Sequence, residues 1–389
     1  MAPRPLPLLC LLAACGGEVS RQTVKDVPLD TPLRSATPEE VARFRDGDAL
    51  FDGTFRAPDG LGPLYVRSSC GACHQVGARG PGGVQHVAAA TGELPFGHAV
   101  RPFTAGGATT PVLAPDGGTA QVSLRLGPPL FGRGYLEAVE DSEFLRLEEA
   151  QARGTDGVRG RVSRVIWHSE PHARAGYPTW ARGTAGLVGR FGLKARNATL
   201  DDFSADALQG DMGLTSPLRP EELPNPDGLN DDDKPGLDVT AAQVDLLADY
   251  VRLVEIPPRK DVQGGAEVFE SAGCAACHVP SLRTRADFPI RALAGISAPL
   301  YTDGLLHDMG EALADGITDE AATGREWRTA PLCALRFLSS YLHDGRAATL
   351  EEAVQSHASP GSEANVSVDR FRALSASDRA LLLSFLEGL

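Results

Sequence analysis

Apolar positions along this 389-residue chain fall into short helical stripes separated by long polar stretches rich in Gly and Pro. Thr37, Pro38 and Glu40 read as N-cap, first helical residue and capping-box partner, and Val41 with Phe44 gives that helix an apolar side. Thr240 with Gln243 repeats the capping-box signal. Val244, Leu247, Val251 and Val254 then share one face until Pro257-Pro258 ends the helix. A last helix is predicted from about Ser377, with Leu381, Leu382, Phe385 and Leu386 on its buried face. Residues 77–120 and 153–185 predict loop insertions, and residues 210–238, rich in Pro, Asn and Asp, predict a long loop ahead of the Thr240 helix.

The two halves echo each other. Gly47-x-x-x-Phe51 has a counterpart in Gly265-x-x-x-Phe269, and Pro128-Pro129-Leu130 followed by Tyr135-Leu136 parallels Ala330-Pro331-Leu332 followed by Tyr341-Leu342. The length suits two domains, with the boundary best placed between Pro257 and Gly265. Ahead of them, Arg4 and the apolar run through Leu6, Leu8, Leu9, Leu11 and Leu12 suit a secretory leader and are too short to span a bilayer. Leu12-Ala13-Ala14-Cys15 resembles the lipobox of bacterial lipoproteins. It implies a signal peptide at 1–14, acylation of Cys15 and a tether over 15–36; an ordinary signal peptide cut nearby is the alternative. Gly16 and Gly17, with no Asp after the cysteine, imply outer-membrane retention in the periplasm. The expected domains are then 37–256 and 257–389.

Composition narrows the partners. A net charge of −14 lacks the basic stripe that nucleic acid needs and suits a basic, neutral or small redox partner. An apolar fraction of 42% is ample for a globular core.

The seven cysteines are almost all accounted for. Cys10 belongs to the leader and Cys15 to the lipid, while Cys70, Cys73, Cys274 and Cys277 occupy two C-x-x-C-H frames completed by His74 and His278. Cys333 is left without a partner for an internal bridge. Two thiols three positions apart on a helical turn can each bond one haem vinyl group, and the adjacent imidazole reaches the iron from the same side. Zinc sites usually pair C-x-x-C units within about 20 residues, whereas these motifs lie far apart in the chain. Two covalently bound haem c groups, with His74 and His278 as metal ligands, are therefore expected. The fold expected is mainly α: two cytochrome c-like helical domains, the N-terminal one carrying the long loop insertions.

Ser340-Tyr341-Leu342-His343-Asp344-Gly345-Arg346 with Thr349-Leu350-Glu351-Glu352-Ala353-Val354 resembles the bacterial di-haem cytochrome c peroxidases. That superfamily includes di-haem enzymes that oxidise tryptophan side chains of partner proteins. Leu306-His307-Asp308-Met309-Gly310, Glu326-Trp327-Arg328-Thr329, Gly189-Arg190-Phe191-Gly192 and Asp211-Met212-Gly213 resemble its branch of di-haem proteins labelled thiol oxidoreductases. The cysteine accounting leaves no dithiol for a literal reading of that label. The resemblance implies an axial Met fourteen residues after His343; here that position is His357, which implies a bis-His haem in the C-terminal half, with Met309 as rival ligand. For the N-terminal haem it implies a distal-pocket carboxylate near Glu137 and a distal histidine near His98, with His86 and Met212 as weaker candidates for the distal side. The family's inter-haem Trp has no counterpart after Pro129, since Trp167, Trp180 and Trp327 lie elsewhere. The Asp156-Gly157 turn is a candidate for a calcium ion. The activity implied is reduction of hydrogen peroxide, or its use against a partner side chain. Electrons would come from a small cytochrome or cupredoxin. The alternative is a non-catalytic di-haem electron-transfer cytochrome.

Overall fold

A computed structural model describes residues 30–74, 83–88, 94–115, 120–169, 171, 176–338 and 340–389. The leader, Cys15 and most of the tether lie outside the described residues, as do parts of the 77–120 and 153–185 stretches. Nine helices are described: α1 (Pro38–Asp52), α2 (Arg133–Ala138), α3 (Asp141–Arg153), α4 (Leu200–Met212), α5 (Ala241–Leu253), α6 (Gly265–Ser271), α7 (Leu350–Ser356), α8 (Asn365–Ala373) and α9 (Ala376–Gly388).

Both expected capping boxes form. Thr37 Oγ1 accepts from the Glu40 amide while Glu40 Oε2 accepts from the Thr37 amide at 2.7 Å. Thr240 and Gln243 repeat the exchange on α5, so each start satisfies two backbone donors that lack helical partners. The α5 helix ends at Leu253, because Val254 turns extended. The α9 helix begins at Ala376 under a Ser375 cap.

The repeated Gly-x-x-x-Phe motif is a repeated packing device. A Cβ on Gly47 would stand 2.6 Å from the Leu246 carbonyl oxygen, so only glycine lets α1 cross α5 this closely. Phe44 and Phe51 then close on Tyr250 with ring centroids 5.1 and 5.0 Å away. In the other half Gly265 lies against Phe385 of α9, and Phe269 packs on the same ring at 5.5 Å.

One feature departs from expectation. The chain is mixed rather than mainly α, with five two-stranded antiparallel ladders among the described residues. Gly83–Ala88 pairs with Gln121–Leu126 and Arg164–Ile166 with Ala185–Val188, so parts of the predicted loop insertions are hairpin-like. Leu306–Asp308 pairs with Glu326–Arg328 in the C-terminal half. The larger core crosses the Pro257–Gly265 segment: Leu282, Phe288, Ile290, Leu293, Leu300 and Phe337 join residues of α1, α4 and α5, while α6, α7, α8 and α9 enclose a second core. No described helix is long and apolar enough to cross a membrane.

Candidate functional site

The two C-x-x-C-H segments fold alike. In the first, the Cys73 and His74 amides both donate to the Cys70 carbonyl, at 3.0 and 2.8 Å; in the second, the His278 amide donates to the Cys274 carbonyl at 2.9 Å. One tight turn thus gathers two thiols and an imidazole. Burial pushes the Cys70 thiol up to about 12, with Asp211 adding to the effect, and the Cys73 and Cys274 thiols up to about 11. They are neutral thiols rather than reactive thiolates.

Each turn opens into a largely apolar cavity. The second, of about 230 Å³, is lined by Cys274, Cys277 and His278, and also by His307, Met309, Trp327, Arg328, His343 and His357. The first, of about 90 Å³, is lined by Cys70, Cys73 and His74 together with Arg133, Asp211, Met212 and apolar residues of α4 and α5.

His278 and His357 share the second cavity, and both are neutral there. Burial pushes His278 down to about 4, with His357 adding to the shift, and burial also lowers His357. The His278 Nδ1 lies 3.1 Å from the Tyr301 carbonyl oxygen, and the His357 Nδ1 lies 2.6 Å from that of Ala353. A carbonyl can only accept, so the proton sits on each Nδ1 and the Nε2 lone pair is left for a metal. His343 stacks on Trp327 with ring centroids 3.9 Å apart, and the Lys194 ammonium lies 4.3 Å above the same indole.

Sequence reasoning missed the group around His307, although its Leu306-His307-Asp308 segment was in view. His307 is 2% exposed, with Nε2 2.9 Å from Asp303 Oδ2 and Nδ1 2.7 Å from Glu363 Oε2. Despite the opposing effect of burial, the Asp303 carboxylate holds its pKa well above the ordinary imidazole value.

Two of the expected residues lie away from the first cavity. Glu137 does not line it. Arg252 grips both Glu137 oxygens, at 2.5 and 3.0 Å, and the Leu200 amide donates to Oε1 at 2.7 Å. Arg252 also pairs with Asp201 and Asp249. Glu137 is thus committed to a buried ion network joining α2, α4 and α5. His98 lies on an exposed turn with Nδ1 2.7 Å from the Val87 carbonyl oxygen, and lines neither cavity. The carboxyl that does line the first cavity is Asp211, at the end of α4, which burial and Asp206 push up to about 6. Met212 lines it too, whereas His86 does not. Asp156, the calcium candidate, sits in an exposed turn and accepts from the Val158 amide at 3.1 Å.

Whether haem suits these cavities can be tested on their buried arginines. Arg133 and Arg328 are 4% and 5% exposed. The Arg133 guanidinium donates to the Pro129 carbonyl, and that of Arg328 to the Gly192 and Thr329 carbonyls. No described carboxylate lies within ion-pairing distance of either. Burial pushes Arg133 down to about 10 and Arg328 down to about 9. One such cation lines each cavity, where an anionic group would relieve the cost of leaving it unpaired. Haem brings propionates, and thiols, free imidazole nitrogens and apolar walls complete the match.

Residues 117–389 match the family described as "Di-haem oxidoreductase, putative peroxidase". No curated protein matches the chain. Among solved structures it resembles a hydrazine synthase of Kuenenia stuttgartiensis at 15% identity and TM-score 0.40, covering 100% of each chain. It also resembles a MauG-like protein associated with microbial copper homeostasis, at 17% identity and TM-score 0.41, over 94% of this chain and 93% of that one. A third likeness is to the diheme peroxidase BthA of Burkholderia thailandensis, at 12% identity and TM-score 0.38, over 95% and 92%. These are distant likenesses, and none bears on function.

Proposed function

Because this chain belongs to the di-haem oxidoreductase family, we propose that it is an exported di-haem c peroxidase-type enzyme whose N-terminal haem site meets hydrogen peroxide while the C-terminal site relays electrons. The di-haem redox role and haem as cofactor follow from the family itself. The rest is our reading, carried by one observation: among the described residues His74 is the only imidazole lining the first cavity, whereas four line the second.

Cys70 and Cys73 would hold one haem through thioethers, with His74 as its ligand. Cys274 and Cys277 would hold the other, with His278 and His357 as ligands. Bound there, haem supplies one-electron transfer and, where a coordination position stays open, a place for peroxide reduction. Arg133 and Arg328 would neutralise the propionates. Asp211 takes the proton-carrying place first expected of Glu137, because it is the carboxyl that faces the first cavity. Leu130, Leu200, Phe203, Leu208, Leu247 and Val251 restrict water around it. The reductant in this reading is a small cytochrome, a cupredoxin or a partner's side chain, drawn to an acidic surface. The protein would work in the periplasm, held by lipid at Cys15 to the outer membrane.

A second reading has its own observation. Met212 lines the first cavity, and a thioether there would make both sites six-coordinate, giving an electron carrier. Spin-state spectroscopy of the matured protein with and without peroxide separates the two. An enzyme shows a high-spin or activatable haem that peroxide alters; a carrier shows two low-spin haems that it leaves unchanged.

A further inference from the structure

Away from both cavities, the polar stretch between α4 and α5 gathers Glu222, Asp232 and Asp238. Each offers a carboxylate oxygen within 4.8 Å of the other two. A cluster of acids is ordinary on a surface, but this one is partly interior. Asp238 is only 4% exposed, and its Oδ1 is buried with no hydrogen-bond partner among the described residues; the Oδ2 of Asp232 is likewise buried and unpartnered. Their other oxygens are in use. Asp238 Oδ2 accepts from the Thr215 amide and hydroxyl, both at 2.7 Å, and Asp232 Oδ1 accepts from the Lys234 amide at 2.6 Å.

The cationic side chains whose charge reaches the group form no ion pair with it among the described residues. The Arg101 guanidinium donates to the Phe96 and Pro224 carbonyls, and the Lys234 ammonium donates to the Asp238 carbonyl. Two glycines make the room. A Cβ on Gly60 would stand 2.2 Å from Asp238 Oδ1, and one on Gly106 would stand 2.8 Å from the Asp232 Cβ. Unpaired buried carboxylate oxygens are costly unless something positive meets them.

We infer that Glu222, Asp232 and Asp238 form a calcium-binding site. The donors are all oxygen, with no imidazole or thiol, so a hard cation is indicated rather than zinc or copper. The ligands come from an irregular loop closed over by two other turns. Calcium tolerates such a setting, while magnesium demands a near-ideal octahedron and gives up its water reluctantly. The site is linked to the first cavity through the chain that leaves α4. Asp238 fixes Thr215 just beyond the end of α4, where Asp211 and Met212 line that cavity, so bound calcium would steady the wall they form.

The test is calorimetric titration of calcium into the full-length, haem-loaded protein after chelator treatment, with thermal unfolding followed in parallel. Wild type should bind calcium saturably and melt higher with it. Glu222→Gln and Asp232→Asn should each weaken that binding at least tenfold and abolish the thermal shift. Asp156→Asn, at the turn first suspected from sequence, should bind like wild type. Both carboxamide variants are near-isosteric, and neither removes the Asp238–Thr215 bonds, so folding is preserved and haem content checks it. Calcium binding unchanged in both variants, or no saturable binding in wild type, would overturn the site. Magnesium binding as tightly as calcium would overturn the choice of ion. None of these readouts depends on peroxide chemistry.

Discussion

Gly127 lies against the imidazole of His74: a Cβ at this position would stand 2.9 Å from Cε1 and 3.3 Å from Nε2. One residue earlier, the Leu126 amide donates to the His343 carbonyl at 2.8 Å, and His343 is stacked on Trp327 inside the second cavity. A short run of bonded and touching groups therefore joins the two cavities, although the stretch just after Pro129 holds no Trp. Gly127→Ala should push His74 out of place, since the added methyl is closer than a van der Waals contact allows. Low-temperature electron paramagnetic resonance should show one haem altered and the other as in wild type. Two unaltered signals would mean that Gly127 does not constrain His74.

Glu137 and Asp211 should separate cleanly on substitution. Glu137→Gln weakens a buried ion network and should cost about 3 kcal/mol of unfolding free energy, while peroxide turnover per folded molecule changes little. Asp211→Asn should keep the stability and lower turnover by about a hundredfold, the scale of a lost proton-moving group. Denaturant titration and stopped-flow peroxide kinetics on both variants check this. The opposite pattern would return Glu137 to the chemistry.

His357→Ala should convert the second haem from low spin to a mixture with high spin, because a bis-His site would lose one nitrogen ligand. Added imidazole should restore the low-spin signal. Full low-spin character without imidazole would point to Met309 or His343, which line the same cavity.

His307 bridges Asp303 and Glu363 in the interior. Replacing it with Phe leaves the fully buried Asp303 without its imidazolium partner, and should cost on the order of 3 kcal/mol or more. The pH dependence has a definite sign. The folded-state pKa of His307 is raised from 6.5, so its stabilisation is full below pH 6.5 and is lost as pH rises through the folded value. Unfolding free energies measured from pH 6 upward should fall in wild type and stay flatter in His307→Phe.

What could be read from the sequence was local. Thr37 with Glu40 and Thr240 with Gln243 are capping partners three residues apart, and each thiol pair with its histidine spans five residues, so spacing alone carried them. The same logic could have found Thr349 with Glu352 at the start of α7. The pairing of Glu137 with Arg252 was not legible because the two lie 115 residues apart, and sequence spacing cannot place their side chains together. Asp211 stood inside a recognised segment, but which way it faces depends on how α4 docks on α5. The ladders were missed for a related reason: strands of two to six residues gain their stability from a distant partner rather than from their own alternation.

The central claim is that two haems are held covalently, one at Cys70 and Cys73 and one at Cys274 and Cys277. Mass spectrometry of the matured protein after acid and organic extraction tests it most directly, followed by peptide mapping. The account predicts a mass increased by two haems, each retained on a peptide that carries one of the two C-x-x-C-H motifs. A chain that loses its haem on extraction, or keeps only one, would contradict it.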